Sequence, residues 1–357
     1  MPIPVLALLV LAVGLYVLLF GIVSVQYMVA RRRTSPSDVS DTPPTSIVLD
    51  ARSGHVHDAL EPLTEADILT DQRDVVLVCT ASTETSSLPG SPEQIRRVEV
   101  DEPTSSGPWS ALQVGLKAAQ GDVALVLSSS CSGSADWARA MVQRCTPDTP
   151  IVVGPTVVEH NDRFLPRLEA LHRFMEIAMA AGLGGHELLS HRQPNLAVRT
   201  SKVKGFSAAD EASQENMLSA DNAPAIATEP EAAVSCGPAA SVQAYVCRQA
   251  RLLRRVVRHF GWWPRWAAVG IWFVHVAVLI ACLVAVVVPA WRQPALAVLL
   301  AKMGGDALLA VPAARHYGQH SLLRSFVPGE LFLVFAVPFA GLLAFYDLLS
   351  PAPPTRS

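Results

Sequence analysis

Residues 3–28 carry no charged side chain, and the first charges to follow are Arg31, Arg32 and Arg33. A helix rising about 1.5 Å per residue over such a run crosses a hydrocarbon layer of roughly 30 Å. The basic triplet comes after the apolar run, the order of a membrane anchor rather than of a cleaved secretory leader. Three more apolar stretches close the chain, at 266–290, at 294–313 (the weakest) and at 326–346, with Glu330 near the start of the last. Arg251, Arg254, Arg255, Arg258 and Arg265 precede the first of these, and Arg315, His316, His320 and Arg324 separate the second from the third. Four spans of alternating direction bring every basic cluster to one side, which the positive-inside rule makes the cytoplasm. The expectation is a multi-pass protein of the inner (plasma) membrane with its main domain cytoplasmic. Composition agrees, since 50% of the 357 residues are apolar and only 17% charged, too few for an ordinary soluble enzyme. A net charge of −3 supplies no basic field for nucleic acid. Six cysteines without a CxxC pair argue against a disulfide framework or zinc knuckle, so reduced thiols are expected.

Between the first and second apolar segments the chain reads as water-soluble. Short runs at 46–50, 74–79, 95–100, 122–127 and 150–155 are almost continuously apolar and separated by helix-length connections. That pattern predicts an α/β domain with a mostly parallel sheet covered on both faces. Residues 110–121 predict a compact amphipathic helix closed by Gly121. Ligands of such sheets sit beyond the carboxyl ends of the strands, which directs attention to 50–54, 79–85 and 128–134. Residues 245–266 alternate arginines with apolar residues and tryptophans and predict an interfacial helix. Lys302 and Asp306, four apart in the weakest apolar segment, fall on one helix face: they read as an intramembrane site or, the favoured expectation, as a structural ion pair on a surface-lying or re-entrant helix with no catalytic role.

In sequence, these segments resemble the membrane-bound family 2 glycosyltransferases of the GT-A (Rossmann-like) fold. SIVLDARSG resembles the family's opening strand and its Ala-Arg-Asn-Glu loop, keeping Ala51 and Arg52 but with Ser53 and Gly54 in place of Asn and Glu. DVVLVCTASTET resembles the second strand and its acidic loop, keeping Ser82, Thr83 and Glu84, with Cys79 and Thr80 where nucleotide-side aspartates are usual. The stretch from 107 to 142 follows the family's helix, its metal-binding Asp-x-Asp turn and its step into Asp-Trp. QPNLAVRTSKVKGF resembles the acceptor-side segment, with Asn195 and Arg199, and QENML falls at the base motif. The resemblance implies an anchor at 1–30, a GT-A domain at 45–237, a basic interfacial helix at 240–265 and about three membrane helices at 266–350. It also implies transfer of a sugar from a nucleotide-sugar donor to a lipid or polysaccharide acceptor.

That chemistry leaves a diphosphate, whose charge is ordinarily met by Mg²⁺ or Mn²⁺ on carboxylates, and it needs a carboxylate to take the acceptor proton. Here the Asp-x-Asp turn reads Ser128-Ser129-Ser130, and Asn216 stands where the base aspartate belongs, beside a retained Glu215. The arginine-tryptophan motif survives as RQARL with Arg251 kept, and Pro108 replaces a lysine after Gly107. Hydroxyls and an amide keep the shape of a site while deleting its charge. Transfer is therefore expected to be impaired, with no metal held. A metal-independent version would use Glu215 as base and Arg251, with Arg199 or Lys202, against the diphosphate. The contrasting expectation, from a different class, is a non-catalytic scaffold or regulatory partner of an active glycosyltransferase. His55, His57 and Asp58 read as surface residues, Cys131 as a structural thiol, and 208–233 as a long acidic, alanine-rich loop.

Overall fold

A computed structural model of the chain describes residues 3–33, 43–51, 74–80, 95–100, 108–184, 195–203, 224–259 and 262–349. Two compact units emerge. One comprises Val29–Glu159 and His186–Gly237; the other comprises Met1–Met28, His160–Gly185 and Pro238–Ser357.

The first unit is built on a seven-stranded sheet. Its strands are β1 (Thr45–Asp50), β2 (Asp74–Cys79), β3 (Ile95–Glu99), β4 (Val123–Ser128), β6 (Ile151–Val153), β8 (Asn195–Arg199) and β9 (Ala225–Ile226), in the order β3-β2-β1-β4-β8-β6-β9. The first four strands in that order are mutually parallel, whereas β8 runs antiparallel to both β4 and β6. A smaller sheet joins β5 (Cys131–Ser132), β10 (Val234–Cys236) and β7 (Thr156–Val158). Helices α2 (Pro108–Ala118) and α3 (Ala135–Arg144) belong to this unit. The central strands are buried on both faces, which is why they lack the apolar-polar alternation of a half-exposed sheet. Ile47, Leu49, Leu77, Leu125 and Leu127 share one core with Trp137 and Met141 of α3. On the other face Val48 and Val78 meet α2 at Gly115, where a Cβ would lie 2.5 Å from Val78 and 2.6 Å from Val48.

Gly121 does not cap α2, which ends at Ala118. It is required by close approach, because a Cβ there would lie 2.7 Å from the backbone N of Ser46. Ser46 Oγ, bonded also to Asp74, accepts from Gly121 N at 2.8 Å and Gln120 N at 3.1 Å, fixing the entry to β4 against β1.

The expectation of reduced thiols fails at one pair: Cys131 and Cys236 form a disulfide, 105 residues apart in sequence. Pairing of β5 with β10 sets these two residues opposite each other. Nothing in their spacing announces that neighbourhood, since only the fold of the intervening chain creates it.

The second unit is helical: α1 (Ile3–Arg33), α4 (Phe164–Leu183), α5 (Val242–His259), α6 (Trp262–Val287), α7 (Arg292–His316) and α8 (Phe326–Leu349). Four stretches within it, Ala7–Arg32, Pro264–Val287, Pro289–His316 and His320–Leu348, are long and apolar enough to cross a membrane. Helix α4 comes from mid-sequence yet clusters with these helices and packs on α7. It ends at Gly184, whose φ of 66° is the left-handed turn that glycine adopts without penalty. Its buried Glu169 accepts from Ala239 N at 2.6 Å and pairs with Arg248 of α5. Its His172 Nδ1 lies 2.8 Å from Tyr245 Oη. Helix α5 lies along α8, and Arg254 pairs with Asp347 at 2.6 Å. Lys302 and Asp306 are not on a helix surface: both are buried, and Glu330 of α8 joins them. An ion pair so placed must be satisfied by neighbouring helices because neither water nor lipid reaches it.

Candidate functional site

Parallel pairing puts the carboxyl ends of β2, β1 and β4 side by side, so that Asp50 stands level with Val78 on one neighbour and Ser128 on the other. Ala51 follows β1, wholly buried, and its N donates to Val78 O at 2.8 Å. Thr80 follows β2 and is buried. The serine turn follows β4, closed by Ser129 N donating to Asp50 O at 3.0 Å. Ser128 Oγ and Ser130 Oγ are 3.0 Å apart, and Ser130 N donates to Ser128 Oγ at 3.4 Å. The serine hydroxyl thus braces its own turn, as a short polar side chain does at such positions. Ala51, Thr80, Ser128 and Ser130 are therefore gathered at one edge of the sheet. Arg52, Ser82, Glu84 and Glu215, together with Asn216, lie outside the described residues.

The turn is held from below. Cys131 next to it carries the disulfide to β10. Ser134 then caps α3, accepting from Trp137 N at 3.2 Å. Gly133 is forced by Trp137, whose ring would sit 2.5 Å from a Cβ there. Trp137 Nε1 donates to Asn195 Oδ1 at 2.8 Å, and Asn195 Nδ2 donates to Pro155 O at 2.7 Å and Ala232 O at 3.0 Å. At 1% exposure, Asn195 spends its amide inside the domain, tying α3 to β8 beneath the serine turn.

Arg199 is placed elsewhere. Because β8 runs antiparallel to β4, Asn195 lies opposite Leu127 but Arg199 lies opposite Val123. That is the amino end of β4, about 16 Å along the sheet from Ser128 at some 3.3 Å per residue. Lys202 follows in the helical turn Thr200–Val203, whose Thr200 N donates to Asp122 O at the same end. The register therefore brings neither cation to the strand-end turn. Arg251 is exposed on α5, in the helical unit.

One group at a strand end singled out in the sequence was given no role there. Asp50 follows the apolar run Ile47–Leu49 at the end of β1, and alternation puts it on the same face as Val48 and, by register, Ser128. It is the carboxylate standing directly beside the serine turn. The signal was an acidic residue closing a buried strand, but only the β1–β4 register gives it a location. Among the described residues the arrangement is poor as a metal site, with hydroxyls that supply no charge and one adjacent carboxylate. Among the described residues no group of three His, Cys, Asp or Glu side chains could hold a metal ion. The donors that the described residues supply do not fit a divalent cation, and no chemical step is routed through one.

Sheet order, strand-end turn and membrane-length helices together define a GT-A glycosyltransferase fold carrying a helical membrane unit. A mannosyltransferase from Pyrobaculum calidifontis, solved with GDP-Man and Mn²⁺, is similar over 95% of this chain and 99% of its own, with 18% identity and a TM-score of 0.51. Glucosyl-3-phosphoglycerate synthase from Mycobacterium tuberculosis, solved with Mn²⁺, UDP and phosphoglyceric acid, matches 61% of this chain and 79% of its own, at 15% identity and a TM-score of 0.40. Residues 1–349 of S. aureus TarS match 87% of this chain and 93% of that one, at 11% identity and a TM-score of 0.36. No family model and no curated protein sequence matches the chain.

Proposed function

We propose that this is a membrane glycosyltransferase-like protein that receives a nucleotide-sugar at the carboxyl ends of β1, β2 and β4, and whose sugar transfer is lost or severely reduced. The observation that carries the reading is the Ser128–Ser130 turn, which keeps a compact, hydrogen-bonded form at the end of β4 without a carboxylate of its own. Arg52, Thr80, Ser82 and Glu84 contact the donor in this reading, with Ser128 and Ser130 offering hydroxyls to its phosphates. Glu215 is the remaining acid for proton removal, and Arg251 a cation for the leaving diphosphate. Asn195 acts on the site only by holding α3 and β8. The acceptor would be a lipid or polysaccharide. A protein so stripped serves equally as a regulatory partner of an active glycosyltransferase.

Titration of the full chain in nanodiscs with UDP- and GDP-sugars, with and without Mn²⁺, tests this. Binding that Mn²⁺ does not enhance, without transfer, is expected. Arg52→Ala should weaken that binding about tenfold, the effect of one charge-assisted contact. Metal-enhanced binding with turnover would overturn the reading, and binding of no nucleotide-sugar would leave the partner role in its place. Restoring Ser128→Asp, Ser130→Asp and Asn216→Asp together should raise transfer if charge alone was removed.

The arginine clusters support a cytoplasmic sheet unit at an inner membrane. The Cys131–Cys236 disulfide favours a second reading, in which that unit faces an oxidising compartment. Labelling of single cysteines introduced at exposed Ser130 and Arg258, in intact cells against lysed ones, decides between them.

A further inference from the structure

At the centre of the helical unit, side chains from four helices converge. Lys302 of α7 is fully buried, with its Nζ 2.8 Å from Asp306 Oδ2 and paired also with Glu330 of α8. Tyr16 of α1 donates to Asp306 Oδ1. His275 of α6, 5% exposed, sets its ring edge-on to Tyr16 with centroids 6.3 Å apart, and its Nδ1 donates to Ile271 O at 2.9 Å. Tyr16, His275, Lys302, Asp306 and Glu330 each fall in the middle third of a span long enough to cross a membrane.

The charges do not balance as they ordinarily stand. One ammonium faces two carboxylates, leaving an excess negative charge where neither water nor a counter-ion can solvate it. Tyr16 is neutral, and the His275 proton on Nδ1 is committed to a carbonyl. Among the described residues no cation other than Lys302 pairs with the two carboxyls. On α4 and α5, which also pack against α8, Glu169 pairs with Arg248, Arg173 with Glu176, and His172 meets Tyr245. A second observation points the same way. Lys302 Nζ touches Asp306 Oδ2 and Glu330 Oε2 together, so the two carboxyl groups converge on one ammonium and stand side by side. Two carboxyls can share a hydrogen bond only when one of them carries a proton.

We propose that Asp306 and Glu330 hold one exchangeable proton between them, making the centre of the bundle an intramembrane proton-binding site closed by Lys302 and Tyr16. Glu330 is the acid. Asp306 has both the Tyr16 hydroxyl and the ammonium to support its charge, whereas among the described residues Glu330 has only the ammonium. With that proton in place the cluster is neutral, one ammonium facing one carboxylate and one carboxylic acid. This holds whether or not the sheet unit binds a nucleotide-sugar.

Infrared difference spectroscopy of the full chain in nanodiscs tests the proposal. A protonated-carboxyl carbonyl band is expected at neutral pH, shifting in D₂O and disappearing reversibly in alkali. Glu330→Gln and Asp306→Asn each leave one cation facing one carboxylate, so both should fold and both should lose the band. His275→Gln should keep it. Absence of the band from the wild type, or its survival in both carboxyl variants, would overturn the proposal. So would a melting temperature that follows Na⁺ at constant pH instead of following the proton. If either carboxyl variant fails to fold, the alkaline titration of the wild-type band and its retention in His275→Gln decide the matter alone.

Discussion

The two units treat charge in opposite ways. At the ends of β1, β2 and β4, the described residues are serine, threonine and cysteine beside one aspartate. In the bundle, where hydrocarbon penalises every charge, the chain buries a lysine and two acids. An uncharged strand end weighs little on folding, and its consequence lies in what it can bind. Retention of charge in a membrane interior works against stability and persists only while all partners are present. The contrast makes the bundle, rather than the sheet unit, the place where removing one charged group should cost the most stability.

The largest expected effect therefore belongs to Lys302→Met. Removing the ammonium leaves two acids without a cation and should destabilise the bundle by about 3–5 kcal/mol, the usual penalty for breaking a buried ion pair on one side. Thermal unfolding in detergent, followed by helical circular dichroism, measures it. Adding Asp306→Asn and Glu330→Gln should recover most of that loss, because a cluster stripped of all its charges has nothing left unpaired. If the single variant melts like wild type, the contrast between the units collapses.

Next comes the disulfide, the sheet unit's own staple. Closing a loop of 105 residues is worth about 2–5 kcal/mol. Cys131→Ala with Cys236→Ala should lower the urea midpoint to match that of reduced wild type. A midpoint indifferent to reductant would mean that the bond does not form, and would restore the expectation of free thiols.

How much of this was legible follows from which forces act locally. The four long helices could be read because an apolar run long enough to cross a membrane has few alternatives. The strands β1, β2 and β4 could be read because burial on both faces writes itself as a continuous apolar run. The gathering of Ala51, Thr80, Ser128 and Ser130 followed from the strand-end rule once the strands were parallel. Strand direction was not legible: nothing in NLAVR says that it runs against β4, and that direction separates Arg199 from Ser128. The Lys302–Asp306 pair was visible at helical spacing, but Tyr16, His275 and Glu330 arrive from three other helices by packing alone. Helix α4 was hidden in the middle of a soluble-looking stretch, because Glu169, Arg173 and Glu176 disguise a face that packs with the bundle.

The smallest effect concerns how the sheet unit keeps a buried group neutral, in contrast to the bundle. Cys145, at the end of α3, is 1% exposed and its Sγ–H donates to Pro150 O at 3.5 Å. Burial pushes its thiol from the ordinary 9.0 up to about 12, with Arg199 pulling more weakly the other way. Above pH 9 the unfolded chain loses this proton while the folded chain keeps it, so the unfolded state binds fewer protons and stability falls as pH rises. Below pH 9 both states hold the proton and the contribution is fully present. The slope should approach about 1.4 kcal/mol per pH unit at most, reached only well above pH 9. Urea unfolding of wild type and Cys145→Ala at pH 8, 9 and 10 measures it, and the variant should lose that part of the alkaline decline. Equal declines in the two proteins would show that the thiol ionises as readily in the folded unit as outside it, and that the sheet unit does not exclude charge from its core.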